Sequence, residues 1–133
     1  MSVKRFGVSL EEELLDRLDR LVKDNQFPNR SQAIRFLIKQ NEVEDLWKGD
    51  MEVAGALVLM YNHHKRDIQK QMTSIQHDYH CLILSSQHIH LDHDMCLETI
   101  TVKGKAGKLL KLTDKLKAIK GIQHGELVMS STH

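Results

Sequence analysis

Cys81-Leu-Ile-Leu-Ser-Ser-Gln-His-Ile-His90, Leu91-Asp-His-Asp-Met95 and Cys96-Leu-Glu-Thr-Ile-Thr-Val102 follow one another directly in a chain of 133 residues. The outer runs are β-rich and the middle one is short, polar and acidic, so the stretch reads as a hairpin with a loop of a few residues. Upstream, Val53-Ala-Gly-Ala-Leu-Val-Leu-Met60 is a buried-strand run, and Ile68, Met72 and Ile75 at i, i+4 and i+7 mark a helix that runs out near His77. Downstream, Gly104-Lys-Ala-Gly107 interrupts the pattern. Leu109, Leu110, Leu112, Leu116 and Ile119 then supply a second helix, Gly121 stops it, and Ile122 to Met129 gives a last strand. Strand, helix, strand, strand, helix, strand is the split βαβ or ferredoxin-like order, so the second part of the chain is predicted to be an α+β domain.

The residues before Gly49 follow another pattern. Lys4-Arg-Phe-Gly-Val-Ser-Leu10 alternates strictly, which predicts a strand with Phe6, Val8 and Leu10 on one face and Arg5, Gly7 and Ser9 on the other. An acidic first turn, Glu11-Glu12-Glu13, opens an amphipathic helix with Leu14, Leu15, Leu18, Leu21 and Val22, and Ser9 and Glu12 have capping-box spacing. Asn25-Gln26-Phe27-Pro28-Asn29 breaks that helix. Asn29 or Ser31 is placed to cap a second one, with Ala33, Ile34, Leu37 and Ile38 as its apolar stripe. Residues 1–48 thus read strand, helix, turn, helix, and Trp47-Lys48-Gly49-Asp50 reads as a short hinge. One short strand completes no sheet, and so small a unit buries little core, so this segment is predicted to dimerise by pairing its strand with a second copy. A two-stranded ribbon of that kind fits the DNA major groove, where Arg5 and Ser9 are residue types suited to base edges.

Composition sets the outer bounds. The chain is 41% hydrophobic and 28% charged, with one Pro and seven Gly, which fits an ordinary globular protein and excludes collagen-like or low-complexity sequence. Lys and Arg number 19 against 18 Asp and Glu, too even for a polycation that binds nucleic acid by bulk charge. By segment, however, residues 1–48 carry 9 basic and 9 acidic groups, 49–102 carry 3 and 7, and 103–133 carry 7 and 2. Two cysteines are too few for a stapled secreted scaffold, and the first residues turn acidic where a signal peptide would be apolar. The run from Val53 to Tyr61 is far shorter than the roughly 20 residues of a membrane helix. A cytoplasmic protein with reduced thiols is predicted.

Histidine is in excess, with nine residues, seven of them between His63 and His93 in the acidic middle. His88 and His90 are two apart on a strand and share a face, and Cys96 opens the strand across the hairpin. Two imidazoles and a thiolate suit a borderline divalent metal that needs one more donor, for which His77, His80 and His93 are the candidates. Cys81 begins an apolar run and reads as a buried small hydrophobe. His63, His64 and His124 have no comparable partner, and His133 is terminal. The lysines from Lys103 to Lys120 read as a solvated face.

The opening RFGVSLEEELLDRLD with NRSQAIRFLI resembles a ribbon-helix-helix DNA-binding domain, while YNHHKRD, QHDYH and HIHLDHDMCLE resemble the nickel-responsive transcriptional regulators, the NikR family. The likeness covers essentially the whole chain. It implies a ribbon-helix-helix domain at 1–48 forming an intertwined dimer, an ACT-like ferredoxin-fold domain at 52–133 that binds Ni(II) and tetramerises, and a homotetramer built as a dimer of dimers. It also implies square-planar nickel ligands at His88, His90 and Cys96 of one subunit and His77 of a neighbour, with Gln76 and Glu98 orienting them. For DNA it implies base reading from Arg5, Gly7 and Ser9 and backbone contact from Lys65 and Arg66, in a repressor of nickel uptake. Two departures stand out. Gly7 replaces a common threonine on the ribbon, and Gln32 and Phe36 replace acidic residues of a secondary cation site near the domain junction.

Three rival readings predict different behaviour. A regulator whose second domain senses a small organic ligand, or copper or zinc, leaves the nickel set incidental. An antitoxin-like protein would bind a protein partner instead of assembling alone. An enzyme is disfavoured, because the His and Cys set has no third catalytic member and no phosphate loop accompanies it.

Overall fold

The computed structural model describes residues 2–132; Met1 and the terminal His133 lie outside the described residues. The chain forms two compact units that meet between Asn41 and Glu42. Among the described residues no helix is long and apolar enough to cross a membrane.

The first unit holds α1 (Glu12–Asp24) and most of α2 (Arg30–Lys48). The stripe expected on α1 is present, yet among the described residues of this unit Ala33 alone is buried, with Phe6 74% and Val8 56% exposed. Residues 4–10 do not form the expected strand. A strand exists only where a ladder partner takes its backbone groups, and among the described residues none pairs with this segment. The expected capping box is also absent: α1 starts one residue after Glu11, with no side-chain cap bond, and its acidic residues Glu12 and Glu13 meet the helix dipole instead. Asn29 does cap α2, its Oδ1 accepting the Gln32 backbone N–H at 2.9 Å, so Ser31 sits inside the helix. Arg30 grips Asp19 with two hydrogen bonds of 2.7 and 2.9 Å, and that pairing holds the Asp19 carboxyl below its ordinary range. Between them Gln26 takes φ +57° in the turn.

No Gly or Pro interrupts α2 before Lys48, so Trp47 and Lys48 are helical and the predicted hinge shrinks to the turn at Gly49. Trp47 is buried, and its indole N–H donates to the Ser130 carbonyl at 2.9 Å.

The second unit carries β1 (Glu52–Asn62), α3 (Arg66–Asp78), β2 (Ile83–His90), β3 (Met95–Lys105), α4 (Ala106–Lys117) and β4 (Ile122–Ser130). The sheet order is β2-β3-β1-β4, all antiparallel, which is the ferredoxin-like topology expected from the order of runs. Alternation decides the faces. Val53, Leu57, Leu59 and Tyr61 of β1 and Cys96, Ile100 and Val102 of β3 join Ile68 and Met72 of α3 and Leu109, Leu112 and Leu116 of α4 in one core. The interruption expected at Gly104–Gly107 does not occur, because β3 continues to Lys105 and α4 starts at once, with the Ala106 N–H bonded to the Met51 carbonyl. Cys81 is exposed rather than buried, since it lies in a 3-10 turn, His80–Leu82, that precedes β2. Gly121 ends the α4 turn at φ +103°, where a Cβ would also run into Ile68.

A Cβ at Gly55 would stand 2.7 Å from the Val128 carbonyl oxygen, backbone of the neighbouring strand β4, and 3.1 Å from the buried Trp47 ring. Gly55→Ala is therefore expected to cost about 1–3 kcal/mol in urea denaturation. Gly107→Ala, in the first turn of α4 with open space around it, should be neutral or slightly stabilising in the same measurement.

Candidate metal centre

The pairing of β2 with β3 sets His88 opposite Glu98 and His90 opposite Cys96, so all four side chains leave the sheet on one face. Cys96 is also the partner of Tyr61 on β1. Glu98 is only 6% exposed. Its Oε1 accepts the Tyr61 hydroxyl at 3.0 Å, its Oε2 accepts the Gln76 amide, and His88 Nδ1 lies 3.2 Å from Oε1. A carboxylate facing Nδ1 keeps the proton on that nitrogen, which leaves the His88 Nε2 lone pair for another acceptor of electrons. The His90 ring centre is 5.3 Å from that of His88 and stacks on His63 at 4.3 Å.

Cys96 is fully buried, and its Sγ donates to the Tyr61 carbonyl at 3.4 Å. Burial pushes its thiol above the ordinary value, offset in part by the hydrogen bond from Tyr61, with the Glu98 charge adding to the rise. The Tyr61 hydroxyl is raised too, first by burial and then by Glu98, and so stays a neutral donor. The chemistry of this donor set fits a borderline divalent metal, which would displace the thiol proton and meet two imidazole nitrogens.

The strand residues His88, His90 and Cys96 thus share one face in register, with Gln76 and Glu98 beside them, although among the described residues their donor atoms do not converge to within 4.8 Å of one another. His77 is apart from them. It lies in the last turn of α3, its ring 5.9 Å from His80, and among the described residues no hydrogen bond or ring contact joins it to the strand set. His80 Nδ1 donates to the His77 carbonyl at 2.9 Å, and its Nε2 lies 3.4 Å from the exposed Cys81 Sγ. Tyr61 is a member of the site that the sequence reading missed; its place in register with Cys96 follows only once β1 is known to pair with β3.

His63 and His64 correct a second expectation. Both Nε2 atoms point at the His93 carbonyl oxygen, at 2.7 and 2.9 Å, and His64 Nε2 lies 3.4 Å from Asp94 Oδ1. They have partners because Asn62 pairs with Met95, which lays the end of β1 beside the hairpin loop. His124 sits 3.8 Å from the Glu126 carboxylate, an exposed pair.

The residues expected at DNA are exposed: Arg5, Gly7 and Ser9 in the extended N-terminal segment, and Lys65 and Arg66 at the start of α3. Gln32 and Phe36 lie on α2, where the Phe36 ring packs against Phe27 at 5.5 Å between centroids and so has an apolar role.

A family model described as NikR C terminal nickel binding domain matches residues 54–130, and one described as Ribbon-helix-helix protein, copG family, matches residues 4–43. A protein of Syntrophus aciditrophicus is 52% identical over 128 residues, covering 96% of this chain and 93% of its own. One of Thermococcus onnurineus is 44% identical over 133 residues, covering 99% and 96%. Both bear the name "Putative nickel-responsive regulator". The structure titled as that of uncharacterized protein TM1266 from Thermotoga maritima is similar with a TM-score of 0.55 at 16% identity, over 59% of this chain and 98% of that one, which bears on the fold alone.

A ribbon-helix-helix module followed by a metal-binding domain defines a metal-responsive DNA-binding regulator. Within that class the chain belongs to the family of nickel-responsive regulators, whose ligand is Ni(II).

Proposed function

We propose that this chain is a cytoplasmic, nickel-dependent repressor of nickel uptake genes. Residues 1–48 act as its DNA-binding and dimerisation domain, and residues 52–133 as its nickel-binding and tetramerisation domain. His88, His90 and Cys96 of one subunit and His77 of a neighbour hold the metal, and three imidazoles with one thiolate suit a square plane of Ni(II). The observation that carries the reading is the buried Glu98, which fixes His88 through Nδ1 beside the His90–Cys96 pair. His77 stands apart from that set within one chain, in keeping with its service to a second copy.

Two apolar surfaces support assembly. Phe6, Val8, Leu10, Leu15, Leu18 and Ile34 line one groove of the first unit, with Ser9, Arg30 and Ser31 as its polar lining, ready for the ribbon and helices of a second chain. In the second unit Ile89 and Val128 are exposed on the sheet face away from the helices. Arg5 and Ser9 then read base edges from the ribbon, Gly7 contributes backbone only, and Lys65 and Arg66 meet phosphates. Ligation raises the share of assemblies whose two DNA-binding ends reach one operator, an effect that requires higher metal affinity in that arrangement.

The test is fluorescence anisotropy with promoter DNA of a nickel-uptake operon from the same genome, with and without one Ni(II) per chain. A gain of at least about tenfold in affinity is expected, the scale of a coupling of roughly 1.4 kcal/mol. Equal affinity in both conditions would overturn the proposal. A second result follows from the raised Cys96 thiol. That group holds its proton in the free protein, ligation needs the thiolate, and so each binding event releases a proton. Nickel affinity should therefore rise with pH, by about tenfold per unit while the thiol remains protonated, and fall in acid; Cys96→Ala should flatten the slope in a chelator competition series.

A further inference from the structure

The positive charge of the second unit is concentrated on α4 and its flanks, where residues 103–133 carry 7 basic groups against 2 acidic ones. Lys108, Lys111 and Lys115 recur at i, i+3 and i+7, which sets them along one face of the helix, and all three are exposed. Leu109, Leu112 and Leu116 fill the inner face and are buried in the core. The exposed positions of α4 are therefore Gly107, Lys108, Lys111, Asp114, Lys115 and Lys117, with no large apolar side chain among them. Lys103 pairs with Glu52 at 3.6 Å and Lys105 with Asp50 at 3.7 Å, so both are already partly neutralised. Among the described residues no carboxylate pairs with Lys108, Lys111 or Lys115, and the Lys115 amine stands 5.3 Å from the centre of the Tyr79 ring. Beyond the helix, Lys120 lines one pocket together with Lys65 and Arg66. Like charges held on one helix face repel each other, and a polyanion laid across them removes that cost.

We propose that the lysine stripe Lys108, Lys111 and Lys115 is a sequence-independent contact surface of the second unit for the phosphate backbone of duplex DNA. The proposal rests on the reading of this chain as an operator-binding protein and adds α4 to the residues that touch the operator's backbone. The chemistry of the face selects this occupant. A helix that lies on a membrane buries an apolar flank beside its lysines, and here that flank is spent on the core. A protein partner would need aromatic or arginine anchors, whereas lysine is depleted at such interfaces. Three compact charges on flexible stems, with no residue able to pair with a base edge in two places, give affinity for phosphates and no sequence preference.

The test is a salt series of fluorescence anisotropy with the nickel-loaded full chain, on promoter DNA of a nickel-uptake operon and on an unrelated duplex. In Lys108→Gln/Lys111→Gln/Lys115→Gln the slope of log affinity against log salt should become shallower by about two to three, since each phosphate contact contributes about 0.9. Affinity at fixed salt should fall by about tenfold or more on both duplexes, with their ratio kept. The triple Lys→Arg variant should restore the slope, and Lys103→Gln/Lys105→Gln, which removes lysines already paired, should leave it as in the parent. Should the triple Gln variant fail to fold, Lys108→Gln/Lys111→Gln leaves Lys115 on Tyr79 and should lower the slope by about two. A parent that prefers neither duplex, yet loses slope on both with the triple Gln substitution, would keep the lysine surface and refute the operator reading. A slope unchanged by the Gln substitutions overturns the proposal, and loss of binding to phosphatidylserine vesicles in that same variant would assign the face to a membrane instead.

Discussion

Cys96→Ala is expected to abolish the gain in operator affinity proposed for the nickel-loaded protein, while leaving metal-free DNA binding as it is. The thiol is the one soft donor of the set and the fully buried one, 0% exposed on the inner strand β3 opposite Tyr61. Without it the remaining nitrogens form an incomplete plane, and nickel affinity should fall by more than the roughly 10–100-fold typical of losing a residue that merely supports a ligand. The sulfur-to-nickel absorption disappears with it. The stability cost is small, about 1 kcal/mol, because a single atom leaves a well-packed site. Cys81→Ala is the internal control: Cys81 is exposed in the turn before β2 and should change neither absorption nor DNA affinity. If the Cys96 variant still tightened on its operator with nickel as the parent does, the assignment of the thiolate to the metal would be wrong.

The shared face of the strand residues His88, His90 and Cys96 was legible because strand alternation and the hairpin's loop length write it. Alternation puts His88 and His90 on one face, and a hairpin with a loop of four residues, 91–94, brings Cys96 directly opposite His90. The βαββαβ order was legible for the same reason, since runs such as Val53–Met60 and stripes such as Ile68, Met72 and Ile75 leave little room for another assignment. What failed was set by tertiary contacts that no local pattern carries. The burial of Trp47 is one, since its indole reaches Ser130, 83 residues away. His63 and His64 gained partners only through the pairing of β1 with β3. Tyr61 entered the site by that same pairing. The N-terminal run shows the reverse case. Its alternation is plain in the sequence, but a ladder needs a partner strand, and among the described residues none pairs with it.

Glu98→Gln should lower nickel affinity by about 10–100-fold and cost roughly 1–3 kcal/mol of stability, although the side chain never touches the metal in the proposed site. The carboxylate accepts from three donors at once: the Tyr61 hydroxyl, the Gln76 amide and His88 Nδ1. An amide of the same shape has one accepting oxygen and an NH2 group that would meet a donor head-on. The neutral oxygen in the place of Oε1 holds Tyr61 and His88 less strongly than the charge did, Gln76 turns its amide to accept from the new NH2, and the longest contact, His88 at 3.2 Å on the edge strand β2, is the one that loosens. Once Nδ1 loses its acceptor the proton is no longer held there, and Nε2 ceases to be the fixed lone pair beside Cys96. Tyr61→Phe removes a donor and leaves the carboxylate, so it should weaken nickel binding less than Glu98→Gln does. The two substitutions separate orientation from ligation: Glu98→Gln should keep the thiolate absorption at saturating nickel and shift only the concentration needed, whereas Cys96→Ala removes the band at any concentration. A nickel affinity in Glu98→Gln within about twofold of the parent would mean that His88 is aligned by something other than the buried carboxylate.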